Sequence, residues 1–262
     1  MSKRRLIPKL QLQLVKYGKL EKLVLVTTVN FDKVIPVGDP VSQAKIYEAQ
    51  SADELIFVCL DPSPNIRPLL ISIARKISEE IFIPITIGGG VSTIEDFKEL
   101  LRNGADKVSI NTNAVLNPKL ISEASAIYGA QCVVVSIDYK KDEDGQLYVY
   151  INGGETKTDL NPIDWAIKCA ELGAGEILLT SIDRDGTTLG LDIDLIAQIT
   201  NKISIPVIAA GGCGLSSHFI DGFINGGADA VSAGTFFSFK DQNPIQTRSH
   251  IKNAGVPIRV FS

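Results

Sequence analysis

Strict alternation of short apolar runs with amphipathic stretches predicts an α/β chain folded as one closed (β/α)8 TIM barrel. Three observations carry that prediction. Eight apolar runs alternate with eight stretches of helical periodicity. The length, 262 residues, matches the roughly 250 that such a barrel uses in a single domain. One unit is also written twice: residues 84–112, PITIGGGVSTIEDFKELLRNGADKVSINT, and residues 206–235, PVIAAGGCGLSSHFIDGFINGGADAVSAGT, keep the same order. Each copy is an apolar run ending in glycines, then an amphipathic helix, a GAD turn and another apolar run, which implies a twofold half-barrel repeat. A doubly wound open sheet is the other architecture that alternation permits.

The strands are predicted at 5–10, 54–60, 84–87, 107–110, 132–137, 176–180, 206–209 and 230–233. Their aliphatic character without polar alternation marks strands buried on both faces. Helices are predicted between them at 40–50, 66–80, 93–103, 119–128, 162–172, 193–202, 216–225 and 244–253. Ser92 or Thr93 ahead of Glu95 and Asp96, and Asn161 ahead of Pro162, are good helix caps. Residues 1–262 therefore read as one barrel with two additions, a long loop at 11–37 after the first strand and a rim insertion at 140–160. The insertion reads as a charged turn, a short extended pair and a glycine turn.

Composition narrows the function. A net charge of −4 with dispersed Lys and Arg argues against a nucleic-acid surface. No apolar run has the length of a membrane span, and MSKRRLIPKL lacks a signal-peptide core, so a cytoplasmic location is expected. Cys59, Cys132, Cys169 and Cys213 are widely separated, which indicates neither a zinc site nor a disulfide framework. With only His218 and His250, no metal is implied, and His218 after a glycine loop reads as structural.

Glycines between a strand and a helix let backbone N–H groups reach a phosphate. Gly89 and Gly90 in one half, and Gly211 and Gly212 in the other, therefore predict a ligand with two phosphates, against the plainer reading of tight turns. Asn111 and Thr112, and Ala233 and Gly234, follow at the ends of the next strands. In such a barrel chemistry sits at the C-terminal strand ends. Asp138 ends the apolar run VVVSID and must face the mouth, while TSIDRDGT offers Asp185 as a substrate-facing acid and Asp183 as a loop cap.

Together IPITIGGGV, NGADKVSINT, VVVSID, GAGEILLTSIDRDGT and the late AGG loop resemble the cyclase subunit of imidazole glycerol phosphate synthase over nearly the whole chain. The resemblance implies a barrel that takes a two-phosphate ribotide and receives ammonia through its N-terminal face from a HisH-like glutaminase, without organic cofactor. It also implies catalytic aspartates at the ends of the first and fifth strands. Asp138 fills the second position, but where the family reads close to IPCLDV this chain reads IPKLQL, with Lys9 for the cysteine and Gln11 for the acid. Gln11 cannot exchange a proton near neutral pH. Cys59 stands where another acid is usual, with Asp61 two residues on. Thr27 aligns with a loop lysine for which Lys16, Lys19 and Lys22 are the alternatives by position.

The family's ammonia gate, a ring of alternating charges, maps onto Arg5, Glu54, Lys107 and Glu176, all present here at strand starts. An intact gate under an altered acid pair suggests a paralogue that still docks a glutaminase and conducts ammonia, and its resemblance to divergent relatives of the family implies amidation of a sugar precursor in polysaccharide biosynthesis, with a third, ATP-dependent amidotransferase. The alternatives are a true cyclase using Asp138 with Asp61 or Asp185, a HisA-like sugar-phosphate isomerase, and a ligand-sensing activator of the glutaminase. These alternatives divide between an enzyme and a non-catalytic conduit, with Gln11 in the family acid's place.

Overall fold

The computed structural model describes residues 3–18, 20–61, 66–239 and 242–259. Its strands are β1 (Arg5–Tyr17), β2 (Leu20–Val29), β3 (Lys33–Gly38), β4 (Leu55–Cys59), β5 (Ile85–Gly88), β6 (Lys107–Ile110), β7 (Val133–Lys141), β8 (Leu147–Ile151), β9 (Thr156–Lys157), β10 (Glu176–Ser181), β11 (Val207–Ala210) and β12 (Ala230–Ala233). Strands β1, β4, β5, β6, β7, β10, β11 and β12 pair in parallel in that order, and β12 returns to β1. The barrel is closed, so the open sheet is excluded and no parallel edge is left unpaired.

The helices are α1 (Pro40–Ala49), α2 (Arg67–Glu80), α3 (Ile94–Arg102), α4 (Thr112–Leu116), α5 (Lys119–Tyr128), α6 (Pro162–Glu171), α7 (Ile193–Thr200), α8 (Ser216–Ile224), α9 (Thr235–Phe239) and α10 (Pro244–Asn253). Thr93 and Asp96 close a capping box on α3, and Asn161 accepts from the Ile163 N–H at the start of α6. The sequence did not announce α4 and α9. Both are single short turns placed after the second strand of the repeated unit, so they obey the same half-barrel symmetry.

The GAD turn has a physical purpose. Asp106 accepts a hydrogen bond from the Ile85 N–H (2.8 Å), and Asp229 from the Val207 N–H (3.2 Å). Each carboxylate satisfies the first free donor of the preceding strand and fixes the register of its own half-unit. Asp53 does the same for Leu6 at 2.7 Å.

Residues 11–37 are not a loop. β1 runs seven residues past its predicted end and pairs antiparallel with β2, which pairs in turn with β3. The reason is visible in LQLQLV, where Leu10 and Leu12 are fully buried and alternate with Gln11 and Gln13, a period of two that extends a strand. Lys19, a candidate substitute for the loop lysine, lies outside the described residues. β8 and β9 form the extended pair on β7, so the first and fifth barrel strands each carry an antiparallel extension.

Apolar packing occupies two shells. The larger lies between strands and helices. The smaller, Ile7, Ile56, Val134, Leu178, Ile208, Ala210 and Ala230, fills the bore between a charged floor and a polar mouth.

Candidate functional site

Side chains of β1 alternate between the bore and the helix shell. Arg5 lies at the floor, Ile7 in the apolar layer, and Lys9 and Gln11 at the mouth. A pocket there is lined by Lys9, Gln11, Thr27, Asp185, Ser232 and Thr235, together with Gly211, Gly212, Ala233 and Gly234.

Asp138 is half-buried at the end of the straight part of β7. Asn111 Nδ2 donates to its Oδ2 (3.2 Å) and Ser136 Oγ to its Oδ1 (3.2 Å). Desolvation pushes its carboxyl up to about 6 and nearby Asp185 adds to this, while Lys9 and the Ser136 and Thr180 hydroxyls pull it down. A carboxyl titrating there can both take and return a proton near neutral pH.

Asp185 is buried at the head of the loop after β10. Thr28 Oγ1 donates to its Oδ2 (2.5 Å), Gln11 Nε2 donates to the same Thr28 oxygen (3.0 Å), and Lys9 Nζ stands 3.7 Å from Oδ1. Gln11 thus buttresses the β2 strand through Thr28. Asp138 and Asp185 both interact with Lys9 by charge, and Gln11 joins Asp185 through Thr28. Asp183 accepts from the Lys141 N–H (2.8 Å), a loop-capping use.

Asn111 turns its amide to Asp138 and to the Ser136 carbonyl (3.0 Å). Thr112 Oγ1 accepts from the Asn152 N–H (2.9 Å), so the rim insertion is tied to this strand end. The glycine loops sit at both halves of the mouth. A Cβ on Gly89, whose φ is +124°, would meet Cys59 Cβ at 2.5 Å, and one on Gly212, φ +113°, would meet the Gly190 carbonyl at 2.1 Å. Backbone crossing alone requires glycine at both. Cys59 is buried and its thiol pushed up to about 11 by desolvation, so it stays protonated and cannot stand in for a carboxylate.

At the opposite end the four charges close a ring. Arg5 bonds Glu54 at 2.7 Å and also Glu176, while Lys107 bonds Glu54 at 2.8 Å and Glu176 at 3.0 Å. Burial raises the Glu54 carboxyl, but Arg5 and then Lys107 outweigh it and leave it below the ordinary carboxylate value. Burial likewise opposes the Arg5 charge, and Glu176 and Glu54 reverse the effect. Each cation bridges both anions, which is the complete pairing that buried charges need.

Four residues at the mouth were not singled out in the sequence as site residues. Thr235 Oγ1 lies 2.7 Å from Thr27 Oγ1, and Thr28 holds Asp185. Arg67 donates to the Gly90 carbonyl (2.6 Å) beside the first glycine loop. Ser232 lines the pocket with its hydroxyl buried and unpartnered. The repeat itself pointed to two of them, since KVSINT and AVSAGT pair Thr112 with Thr235 and Ser109 with Ser232.

The chain is similar to known proteins over nearly its whole length. The family model described as "Histidine biosynthesis protein" matches residues 8–243. A Prochlorococcus marinus (strain MIT 9313) protein named "Putative imidazole glycerol phosphate synthase subunit hisF2" is 52% identical over 260 residues, covering 99% of each chain. Proteins named "Imidazole glycerol phosphate synthase subunit HisF" from Clostridium botulinum (strain Okra / Type B1) and Alkaliphilus metalliredigens (strain QYMF) are 44% and 42% identical over 99% of this chain and 100% of theirs. No helix among the described residues is long and apolar enough to cross a membrane. The chain belongs to the histidine biosynthesis protein family, as a HisF-type barrel.

Proposed function

We propose that this barrel accepts ammonia at its floor from a glutaminase partner and uses or passes it at a mouth that holds a phosphorylated ligand. The observation that carries this reading is the floor: Arg5, Glu54, Lys107 and Glu176 form a fully paired ring across the barrel axis, in a position where an ordinary barrel has no need of buried charge. Above it the apolar layer of Ile7, Ile56, Val134, Leu178 and Ile208 opposes an ion far more than a small neutral molecule. Ammonia rather than ammonium suits that passage.

The acceptor we favour is a sugar precursor amidated with the help of a third, ATP-dependent amidotransferase. Gln11 supports this choice, because it is held between β1 and Thr28 and offers no exchangeable proton near neutral pH. A second reading, cyclase chemistry on the two-phosphate ribotide of the similar HisF proteins, is favoured by Asp138, whose carboxyl near 6 suits acid and base work. Supplying that ribotide with an ammonium salt at high pH separates the two. Absence of imidazole product is the outcome expected of an ammonia conduit, and robust turnover abolished by Asp138→Asn would overturn it.

A further inference from the structure

Lys9 is an unusual occupant of a barrel bore. Its side chain is only 7% exposed, and its ammonium has Asp185 at 3.7 Å and the face of the Phe31 ring at 5.8 Å. Among the described residues it makes no hydrogen bond, so all three N–H donors are left to the pocket it lines. Ser232 lies one inward position lower on the neighbouring strand, as the register partner of Ile7. Its hydroxyl is wholly buried, lines the same pocket and has no partner. A buried hydroxyl without a partner is unfavourable, and the Lys9 ammonium, which has an ion pair but no hydrogen bond, lines the same pocket, so an oxygen atom there would complete both. The glycine loop at Gly211 and Gly212 and the strand end at Gly234 border this pair on one side, while Gln11 and Asp185 border it on the other.

We propose that Lys9 and Ser232 form a donor pair that grips an electron-rich oxygen carried between the two phosphate ends of the ligand, and so select for a bisphosphate with a carbonyl or hydroxyl oxygen in its middle. This rests on the reading of the mouth as a two-phosphate site. An ammonium hydrogen bond to such an oxygen adds both charge and direction, and the low exposure of the pair strengthens it.

The test is calorimetric binding to the full chain of two probes, ribulose bisphosphate, which carries oxygens along its middle, and pentanediol bisphosphate, which carries none. Lys9→Met keeps the length of the side chain, and Ser232→Ala removes a single atom, so the second variant keeps the experiment decisive should the first fold poorly. The expected result is that Lys9→Met weakens ribulose bisphosphate by on the order of tenfold to a hundredfold and leaves pentanediol bisphosphate unchanged, with Ser232→Ala showing the same selectivity to a smaller degree. Equal weakening of both probes, or of neither, overturns the donor pair while sparing the two-phosphate site. Failure of the unaltered chain to bind either probe overturns the two-phosphate site itself, and the pair with it.

Discussion

Asp138→Asn should make the fold more stable at neutral pH, and the gain should vanish in acid. The Asp138 carboxyl ordinarily titrates at 3.8 and here is pushed up to about 6, mainly by desolvation. The unfolded chain therefore gives up this proton earlier than the folded one as pH rises. Below both values the residue contributes no pH-dependent difference. Between them the folded chain binds more protons, so stability falls as pH increases, and above about 6 the full cost is present. The gap between 3.8 and about 6 amounts to about 3 kcal/mol at neutral pH. Asparagine removes the charge, and its carbonyl oxygen keeps one of the two bonds, from Ser136 or from Asn111, while its amide nitrogen cannot accept the other. Urea denaturation at pH 7.5 should show the variant about 2 kcal/mol more stable, the relieved charge less about 1 kcal/mol for the lost bond, with the advantage gone near pH 4. In a thermal scan that gain corresponds to a rise on the order of 5 °C. A variant no more stable than the original at pH 7.5, or one whose advantage is the same at both pH values, would refute the argument that burial of this carboxylate is a strain held for function.

Three further outcomes are expected. Lys107→Ala opens the floor ring while Arg5 still bridges Glu54 and Glu176, so the fold should persist and the ratio of glutamine-supported to ammonia-supported rates should change in a complex with the proposed glutaminase partner; a fall of both rates by one factor would remove the gate. Arg248→Leu strips the buried Asp53 of its 2.7 Å partner and the Ser51 and Arg259 carbonyls of theirs, which should lower stability by about 3–5 kcal/mol in urea at pH 7; a loss under about 1 kcal/mol would show that Asp53 finds other compensation. Gly212→Ala drives a Cβ toward the Gly190 carbonyl at a φ of +113°, so a cost of at least about 1–3 kcal/mol is expected by thermal melting, and an unchanged melting temperature would mean that the two loops yield freely.

The barrel was legible because its signals are local and repeated. Eight runs buried on both faces, capped helices and two GAD turns each follow from residues close in sequence, and Asp106 and Asp229 reach only back to the strand of their own unit. The 11–37 segment was misread as a loop for the opposite reason: LQLQLV carries the period of a strand, but Arg5–Leu10 already has the length of a barrel strand, and nothing local says that the same strand continues past the barrel rim. Thr27 and Thr28 reach the mouth only through that extension.

The mouth divides along the same line. Asp138 stands out as an acid ending an apolar run and Asp185 as an acid within TSIDRDGT, whereas the environment that shapes them comes from Lys9, Thr28 and Asn111, between 27 and 176 positions away in sequence, and only the closed barrel brings these together. Lys9 and Gln11 share one face of one strand. A charge-neutral amide in place of an acid removes a proton acceptor, and a cation two residues earlier supplies a fixed donor, so the two residues move the site in the same direction, from exchanging protons toward holding an electron-rich group. Asp138 keeps its proton-exchanging range with Lys9 nearby, and the site therefore retains one acid–base group beside the Lys9 side chain. That arrangement suits a ligand that presents an electron-rich oxygen to Lys9, because a donor already in place binds it without reorganisation.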